Sequence, residues 1–514
     1  MSTKTYIESI LLVILGVITS LSLPPLNFFL INFFSFTCFF LFLNKKTKEH
    51  SNIKIFFFYG WLFGFGYFLS NLYWISISLL YEQEFKFLIP FIIILIPAFL
   101  ALFYGLISFC FIVFKQKNII SSFLIFSLVF GIVEFIRGSI LTGFPWNLIA
   151  YSFSNQLLFL SITSVIGTYG FNLYCISLFT SPAIFILKKE KKDSVFLILI
   201  LISVVFFYIL GLSNKEKFSQ ANKETYEYKL RVIASNISLD RFYIDIEPKS
   251  VINDLIKISS PQDDEKIIFL WPEGIIPGIS KDQLIEYSQL FSENFNKNHL
   301  FVIGINSQKE ENGSIKLYNS LSVYDHKLNL LDSYNKKNLV PFGEFLPFES
   351  TLGKLGFTSI TNSRQSFSKG RQRNIIEIKK PEFSLKFIPL ICYEIIYSGR
   401  LFKNLDFDLI INISEDGWFG QSVGPKQHFV HSIFRAIESG KYVARSSNNG
   451  IAAIINPLGI AEKKVNFGES GYIDLKEIKK IQPTVFSKYG NKIFSLLILL
   501  YILLIFSFNR IKNE

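Results

Sequence analysis

The sequence predicts an α-helical transmembrane bundle of eight helices joined to one α/β domain, and three observations predict it. Half of the 514 residues are hydrophobic and only 18% are charged, with a mean hydropathy of +0.37. That balance excludes a disordered chain, a coiled coil and an ordinary soluble enzyme. The apolar residues gather in long uncharged runs at the two ends of the chain, whereas a polar stretch fills its second half. Within that stretch, short β-branched runs alternate with amphipathic ones, the pattern of an α/β domain.

About 20 apolar residues cross a bilayer, and runs of that kind lie near 6–22, 27–43, 55–75, 89–114, 119–137, 163–187, 195–212 and 492–508. Pro24-Pro25 is followed at once by a second apolar run with no small-residue cleavage site between them, so the first run reads as a retained helix rather than a signal peptide. With the N-terminus in the cytoplasm, the loops on that side carry thirteen basic residues against four acidic ones, which leaves +9 of the net +12 on one face. The short loops of the other face, 76–88 and 138–162, hold Lys86 as their one base. This asymmetry follows the positive-inside rule and makes nucleic-acid binding an unnecessary explanation of the charge. It divides the chain into helices 1–7 over 1–212, an extracytoplasmic domain over 213–490, and helix 8 with a cytoplasmic tail over 491–514.

Residues 213–228 read as a polar connector. After it, Leu230–Ile233, Ile267–Leu270, Leu300–Ile305, Asn319–Tyr324, Phe387–Ile391, Leu409–Ile413 and Ile451–Ile455 have the composition of strands. Residues 281–297 and 425–440 read as helices, the latter with Phe429, Ile433, Phe434 and Ile437 on one face.

Three strand exits display reactive groups. Ile267–Leu270 runs into Trp271-Pro272-Glu273. A second exit places Lys336 and Glu344 on one loop, and the third ends in Cys392-Tyr393-Glu394. A thiol where a strand turns into a helix meets backbone N–H groups, which lower its pKa and later hold an oxyanion. A nearby carboxylate takes its proton and a lysine stabilises charge on an attacked carbonyl. Taken singly, each residue is ordinary, a core cysteine or a solvated loop charge; the information is in their joint occurrence at strand exits. Cys38, Cys110 and Cys175 fall in or near predicted helices and read as small apolar residues, which leaves Cys392 as the one cysteine of the domain.

His428 and His431, three apart on a predicted helix, lack the further ligands that a metal site needs; neither a metal nor a cofactor is expected. Arg435 and Glu438 are spaced as a structural pair. Glu134 and Arg137 are spaced to neutralise each other within the fifth apolar helix, where they can orient the loop that follows.

Trp-Pro-Glu at 271–273, Tyr-x-Lys at 334–336 and Cys-Tyr-Glu at 392–394 resemble the Glu-Lys-Cys signatures of the nitrilase-like carbon-nitrogen hydrolases. More narrowly, Leu-Val-Pro-Phe-Gly-Glu at 339–344, Asp-Gly-Trp-Phe-Gly at 416–420, Gly-Pro-x-Gln-His at 424–428, Arg-Ala-x-Glu-x-Gly at 435–440 and Thr-Gly-Phe-Pro-Trp at 142–146 are similar to the apolipoprotein N-acyltransferases. The resemblance covers almost the whole chain. It implies a nitrilase-like α-β-β-α sandwich, with Glu273 as general base, Lys336 as oxyanion stabiliser and Cys392 as nucleophile. Glu344, Tyr393 and Glu394 would be supporting residues, and Trp146 and Trp418 would line the substrate site. Two departures stand out. Glu415 occupies a position where the family usually has Asn, and Ala234-Ser235-Asn236 replaces Gln-Gly-Asn; both are expected to lie away from the triad.

The implied activity is transfer of a fatty acyl group from a phospholipid, through a Cys392 thioester, to the N-terminal amine of diacylglyceryl-cysteine in a lipoprotein. Phosphatidylethanolamine is the implied donor, and the inner membrane with a periplasmic catalytic domain is the implied location. Drawing an acyl chain of about 15 methylenes into water costs roughly 12 kcal/mol, so the pocket is expected to open onto the bilayer. Phe345, Leu346, Phe348, Leu352, Leu355 and Phe357 are candidate lid residues that fit a core equally well. Two other functions fit the same fold: a membrane-tethered amidase that uses water as second nucleophile, and a non-catalytic lipid-binding scaffold.

Overall fold

The computed structural model describes residues 3–49, 51–188, 190–311, 313–349, 354, 366–401 and 404–510. The chain divides into two compact units, one formed by 1–216 with 484–514 and the other by 217–483.

Among the described residues of the first unit and its continuation, six helices are long and apolar enough to cross a membrane. The predicted runs 89–114 and 119–137 are helical over those same residues. The latter starts at Asn118, whose side chain accepts a hydrogen bond from the Ser121 amide, so that a polar cap closes the start of a mostly apolar helix. Two further apolar helices, Thr3–Ser20 and Ile31–Lys46, are shorter. The core of the unit is aromatic: Phe39 stacks on Phe63 at 4.3 Å, and Phe36, Tyr67 and Tyr104 are fully buried around them. Gly60 and Gly64 let helix Lys54–Leu72 approach helix Ile89–Phe114 closely, since a Cβ at Gly60 would come within 2.3 Å of the Tyr104 carbonyl, the small-residue packing common between membrane helices. Helices Lys191–Gln220 and Lys492–Arg510 expose Val195, Ile198, Leu201, Leu496, Leu499 and Leu503. Such continuous apolar surface is costly in water and natural in lipid.

The second unit contains β1 (Lys223–Ala234), β2 (Ile267–Leu270), β3 (His299–Gly304), β4 (Ser307–Glu311), β5 (Ser314–Tyr318), β6 (Ser320–Asp325), β7 (Leu330–Asn335), β8 (Ile376–Lys380), β9 (Phe383–Ile391), β10 (Leu409–Glu415), β11 (Tyr442–Asn448), β12 (Ala452–Ile455), β13 (Ala461–Val465) and β14 (Gly471–Lys479). They form two six-stranded sheets, ordered β14-β1-β2-β3-β6-β7 and β13-β12-β11-β10-β9-β8, while β4 and β5 make a separate hairpin. The centres are parallel (β1, β2 and β3 in one sheet, β9, β10 and β11 in the other) and the edges antiparallel. The sheets face each other through β1, β11 and β12, and the Ser446 hydroxyl donates to the Ile233 carbonyl at 2.7 Å. Helix Pro248–Ser259 covers the outside of the first sheet, packing Val251, Ile252 and Leu255 with Phe269, Trp271 and Phe301. Helix Gly424–Ser439 covers the second. This is an α-β-β-α sandwich, and the apolar runs of β2, β3 and β9 suit strands buried on both faces.

Two sequence expectations are corrected. The 213–228 segment is no loose connector: helix Lys191–Gln220 continues through its polar half and β1 begins at Lys223. The expected 281–297 helix is a turn at Leu284–Tyr287 followed by a short helix at Ser288–Asn294, because the Gln283 side chain closes a turn on the Ser280 amide, and Asn296 and Asn298 bond to Asp263 beyond it.

Candidate active site

In open parallel sheets the carboxyl ends of the strands are where the chain turns away and functional side chains collect. Here the exits of β2, β7 and β9 carry Glu273, Lys336 and Cys392 respectively. Gly304 at the end of β3 makes room for the first exit, since a Cβ there would lie 2.2 Å from the Pro272 carbonyl and 2.5 Å from Glu273 Cα.

Glu273 Oε1 accepts from Asn319 Nδ2 at 2.7 Å and from Lys336 Nζ at 3.2 Å, and its Oε2 accepts from the Glu415 amide at 2.9 Å. Lys336 Nζ also donates to Glu344 Oε1 at 2.9 Å, and Asn319 Nδ2 reaches the same oxygen at 2.7 Å. Burial disfavours the Lys336 ammonium, but Glu273, Glu344 and Cys392 override it and hold its pKa well above that of an ordinary lysine. Lys336 is thus a fixed cation, 1% exposed, between two carboxylates. Glu344 is pinned from its own loop as well, since Oε2 accepts from the Val340 amide at 2.8 Å.

Cys392 is buried and adopts φ +49°, the first residue of a tight turn over Cys392–Ile396. A left-handed backbone costs an L-residue roughly 1–2 kcal/mol, and the surroundings hold it in place. Glu394 is completely buried and accepts from the Ile391 amide at 3.0 Å through Oε2. Its Oε1 accepts from Tyr334 Oη (2.7 Å), the Lys337 and Asn338 amides (each 3.0 Å) and Arg373 Nη2 (2.6 Å). One carboxylate therefore ties the turn bearing Cys392 to the loop bearing Lys336. On the other side His428 links Asp416 (Nδ1 to Oδ1, 2.8 Å) to the Cys392 carbonyl (Nε2 to O, 3.2 Å). Burial disfavours the Asp416 carboxylate, yet Arg445 and His428 keep its pKa well below the usual range.

The thiol itself departs from the sequence expectation. Burial, then the charge of Glu273, push the Cys392 pKa well above that of a free cysteine, against Lys336 and a hydrogen bond to Ser414. A five-residue turn supplies little of a helix dipole, so desolvation wins. Cys392 is a thiol at rest, in need of a base.

Tyr393 is buried with its ring edge-on to Tyr397 at 5.6 Å. Trp418 is partly exposed and stacks on Phe242 at 5.8 Å. Trp146 is 2% exposed in the first unit, 4.9 Å from Trp74. There the Glu134–Arg137 pair forms as expected, with Nε to Oε2 at 2.8 Å, and Arg137 also donates to the Phe144 carbonyl, so the pair holds the Thr142–Trp146 loop. The Arg435–Glu438 pair is present at 2.8 Å. Of the lid candidates, Leu346 is buried and Phe348 is 75% exposed, and Leu352, Leu355 and Phe357 lie outside the described residues. Motif reading misses Asn319, which bridges both carboxylates, and misplaces Glu415. The latter was expected to lie away from the triad, but its amide bonds directly to Glu273. Asn319 follows Tyr318 with no motif around it, so its only signal is a polar residue at the mouth of a buried strand.

The sandwich and its strand-exit site define a nitrilase-like domain, and the carbon-nitrogen hydrolase family matches residues 255–479. The N-terminal domain of apolipoprotein N-acyltransferase matches residues 15–180. Proteins named apolipoprotein N-acyltransferase align over most of the chain: one from Rickettsia prowazekii is 32% identical over 99% of this chain and 100% of its own, and one from Rickettsia typhi is 32% identical over 97% and 98%. One from Allorhizobium ampelinum is 30% identical over 88% and 86%. The chain belongs to the apolipoprotein N-acyltransferase family.

Proposed function

We propose that this membrane protein transfers a fatty acyl group from a phospholipid to a lipoprotein through a thioester on Cys392. The observation that carries the mechanism is a buried thiol on the same cluster as a carboxylate and a fixed ammonium, Glu273 and Lys336. Glu273 takes the Sγ proton as sulfur attacks the ester carbonyl. Lys336 and the turn's backbone N–H groups hold the oxyanion, the C–O bond breaks, and Glu273 returns the proton to the departing lysophospholipid alkoxide. In the second half-reaction the α-amine of a diacylglyceryl-cysteine attacks the thioester carbon. Glu273 accepts the amine proton and passes it to the sulfur as the C–S bond breaks, giving an amide and the free thiol. Phosphatidylethanolamine is the donor we assign. To Glu344, Tyr393 and Glu394 we assign support of the reacting groups, and to Trp146 and Trp418 contact with the lipid substrates.

The test is the fate of the acyl-enzyme. Incubation with phosphatidylethanolamine alone should build up a thioester adduct, seen by intact-protein mass spectrometry together with lysophospholipid. Adding a diacylglyceryl-cysteinyl peptide should discharge it into an N-acyl product. Rapid discharge to free fatty acid without the peptide would instead identify an amidase-like hydrolase, and absence of any adduct would favour a binding scaffold.

The assigned location is the inner membrane, with eight helices and the catalytic unit on the periplasmic side, argued from the segregation of the basic residues. In spheroplasts of a strain carrying a variant without native cysteines, an impermeant thiol reagent should label a cysteine placed at Lys223, which is largely exposed. A cysteine at Lys191 should react only after permeabilisation. The reverse pattern would refute the orientation.

A further inference from the structure

Beneath Glu273 lies a buried ion pair that the reaction scheme leaves unused. Arg241 sits in the turn Leu239–Phe242 with its side chain wholly buried, and its Nη2 donates to Glu415 Oε2 at 2.5 Å. A buried ion pair is weak as a stabilising device, because desolvation of both groups offsets their attraction. What the pair touches is more informative. Arg241 Nε donates at 3.2 Å to the carbonyl of Ile275, two residues beyond Glu273 on the same turn. Glu415 donates its own amide to Glu273 Oε2. The pair therefore grips both the turn that carries Glu273 and the N–H that holds its carboxylate.

The rest of the network locks the pair. Glu415 Oε2 also accepts from Asn448 Nδ2 at 2.6 Å, and Oε1 accepts from the Gly417 amide at 2.8 Å. Asn448 Oδ1 in turn accepts from Ser235 Oγ at 2.5 Å and from the Ile237 amide at 2.8 Å. Glu415 and Ser235 thus meet on one asparagine.

The terminal torsion of a glutamate is broad, and a carboxylate base works only when a lone pair faces the proton it removes. Asn319 and Lys336 hold Oε1, but both are shared with Glu344; the Glu415 amide holds Oε2. From this geometry we infer that Arg241 and Glu415 are positioning residues for acyl transfer, fixing the rotation of the Glu273 carboxylate toward Cys392. The inference rests on Glu273 being the base.

The test is single-turnover thioester formation from phosphatidylethanolamine in mixed micelles, measured for Arg241→Met/Glu415→Gln and for Arg241→Lys, each with Glu273 and with Glu273→Gln. The double substitution removes both buried charges together, so neither is left unpaired, and Arg241→Lys keeps the charge while losing the fork that reaches both partners. With Glu273 present, the rate is expected to fall about 10- to 10²-fold, the cost of a misplaced catalytic group. With Glu273→Gln there is no base left to orient, and the same substitutions should change the residual rate by less than about twofold. Equal losses in both backgrounds would mean a merely structural pair and would overturn the inference, as would an undiminished rate in the presence of Glu273. If Glu273→Gln alone retains the full rate, the base assignment falls and the inference falls with it, a result legible without any Arg241 variant.

Discussion

Cys392→Ala is expected to reduce both thioester formation and N-acyl product to background, while substitution of Cys38, Cys110 or Cys175 leaves turnover largely intact. Cys392 sits at a strand exit beside Glu273 and Lys336, and the other three are free cysteines of the first unit. Alanine is the informative replacement because Cys392 has φ +49°. Alanine keeps the Cβ and meets the same left-handed penalty as cysteine, whereas glycine would relax the turn and confuse lost chemistry with altered backbone. The Glu394 and His428 contacts that hold the turn go to main-chain atoms of 391 and 392, so they survive the substitution and the variant should fold. Intact-protein and peptide mass spectrometry after incubation with phospholipid reads the result. An adduct on another cysteine, or persistent turnover in Cys392→Ala, would remove Cys392 from the mechanism.

The long apolar helices were legible because a bilayer-spanning segment needs a length and a composition that show residue by residue. Helix 119–137 could be read to its ends since Asn118 caps one end and Gly138 follows the other. The central strands β2, β3 and β9 were legible from apolar runs, and β10 from one that only Asn412 interrupts within Leu409–Ile413. β11 was not: all seven residues of Tyr442–Asn448 are buried, yet Arg445, Ser446, Ser447 and Asn448 are polar. Their burial is satisfied by Asp416, by the Ile233 carbonyl across the sandwich, and by Glu415, none of which a hydrophobic pattern reports. Edge strand β14 hides for the opposite reason, being half exposed and rich in charge.

The candidate site divides in the same way. Glu273 and Cys392 follow apolar runs that read as strands, whereas β7 before Lys336 is mostly exposed and polar, so Lys336 was legible from its motif alone. Glu415 was misplaced because its bond to Glu273 spans 142 positions and runs through the backbone, where residue type gives no clue. The direction of the thiol's pKa was misread for a related reason: local sequence shows a turn, whereas the shift is set first by burial and then by Glu273, both products of the tertiary fold.

Glu273→Gln and Lys336→Met should both depress thioester formation, and pH should tell them apart. Glutamine keeps the shape of Glu273 but not its basicity, and loss of a positioned general base costs about 10²- to 10⁴-fold. The reaction then depends on the fraction of Cys392 already ionised. Burial holds the thiol pKa well above that of free cysteine; the substitution removes the second cause of that shift, the Glu273 charge, and leaves Lys336 pulling the pKa down. Below the thiol's pKa, each pH unit raises the thiolate about tenfold, so the Glu273→Gln rate should climb with pH at close to that slope. Because burial persists, the climb should continue above the pKa of about 8.5 at which an exposed cysteine would level off. In Lys336→Met the base is still present but the cation for the oxyanion is not, a loss of about 10²–10³ in rate. Ionising the sulfur does not replace that cation, so the rate should stay low across the same range. Rapid-quench single-turnover measurements from neutral to alkaline pH, with thermal melts to certify folded protein at each point, decide the matter. Equal alkaline recovery of both variants would show that Lys336 acts mainly by favouring the thiolate, and its assignment to the oxyanion would be withdrawn.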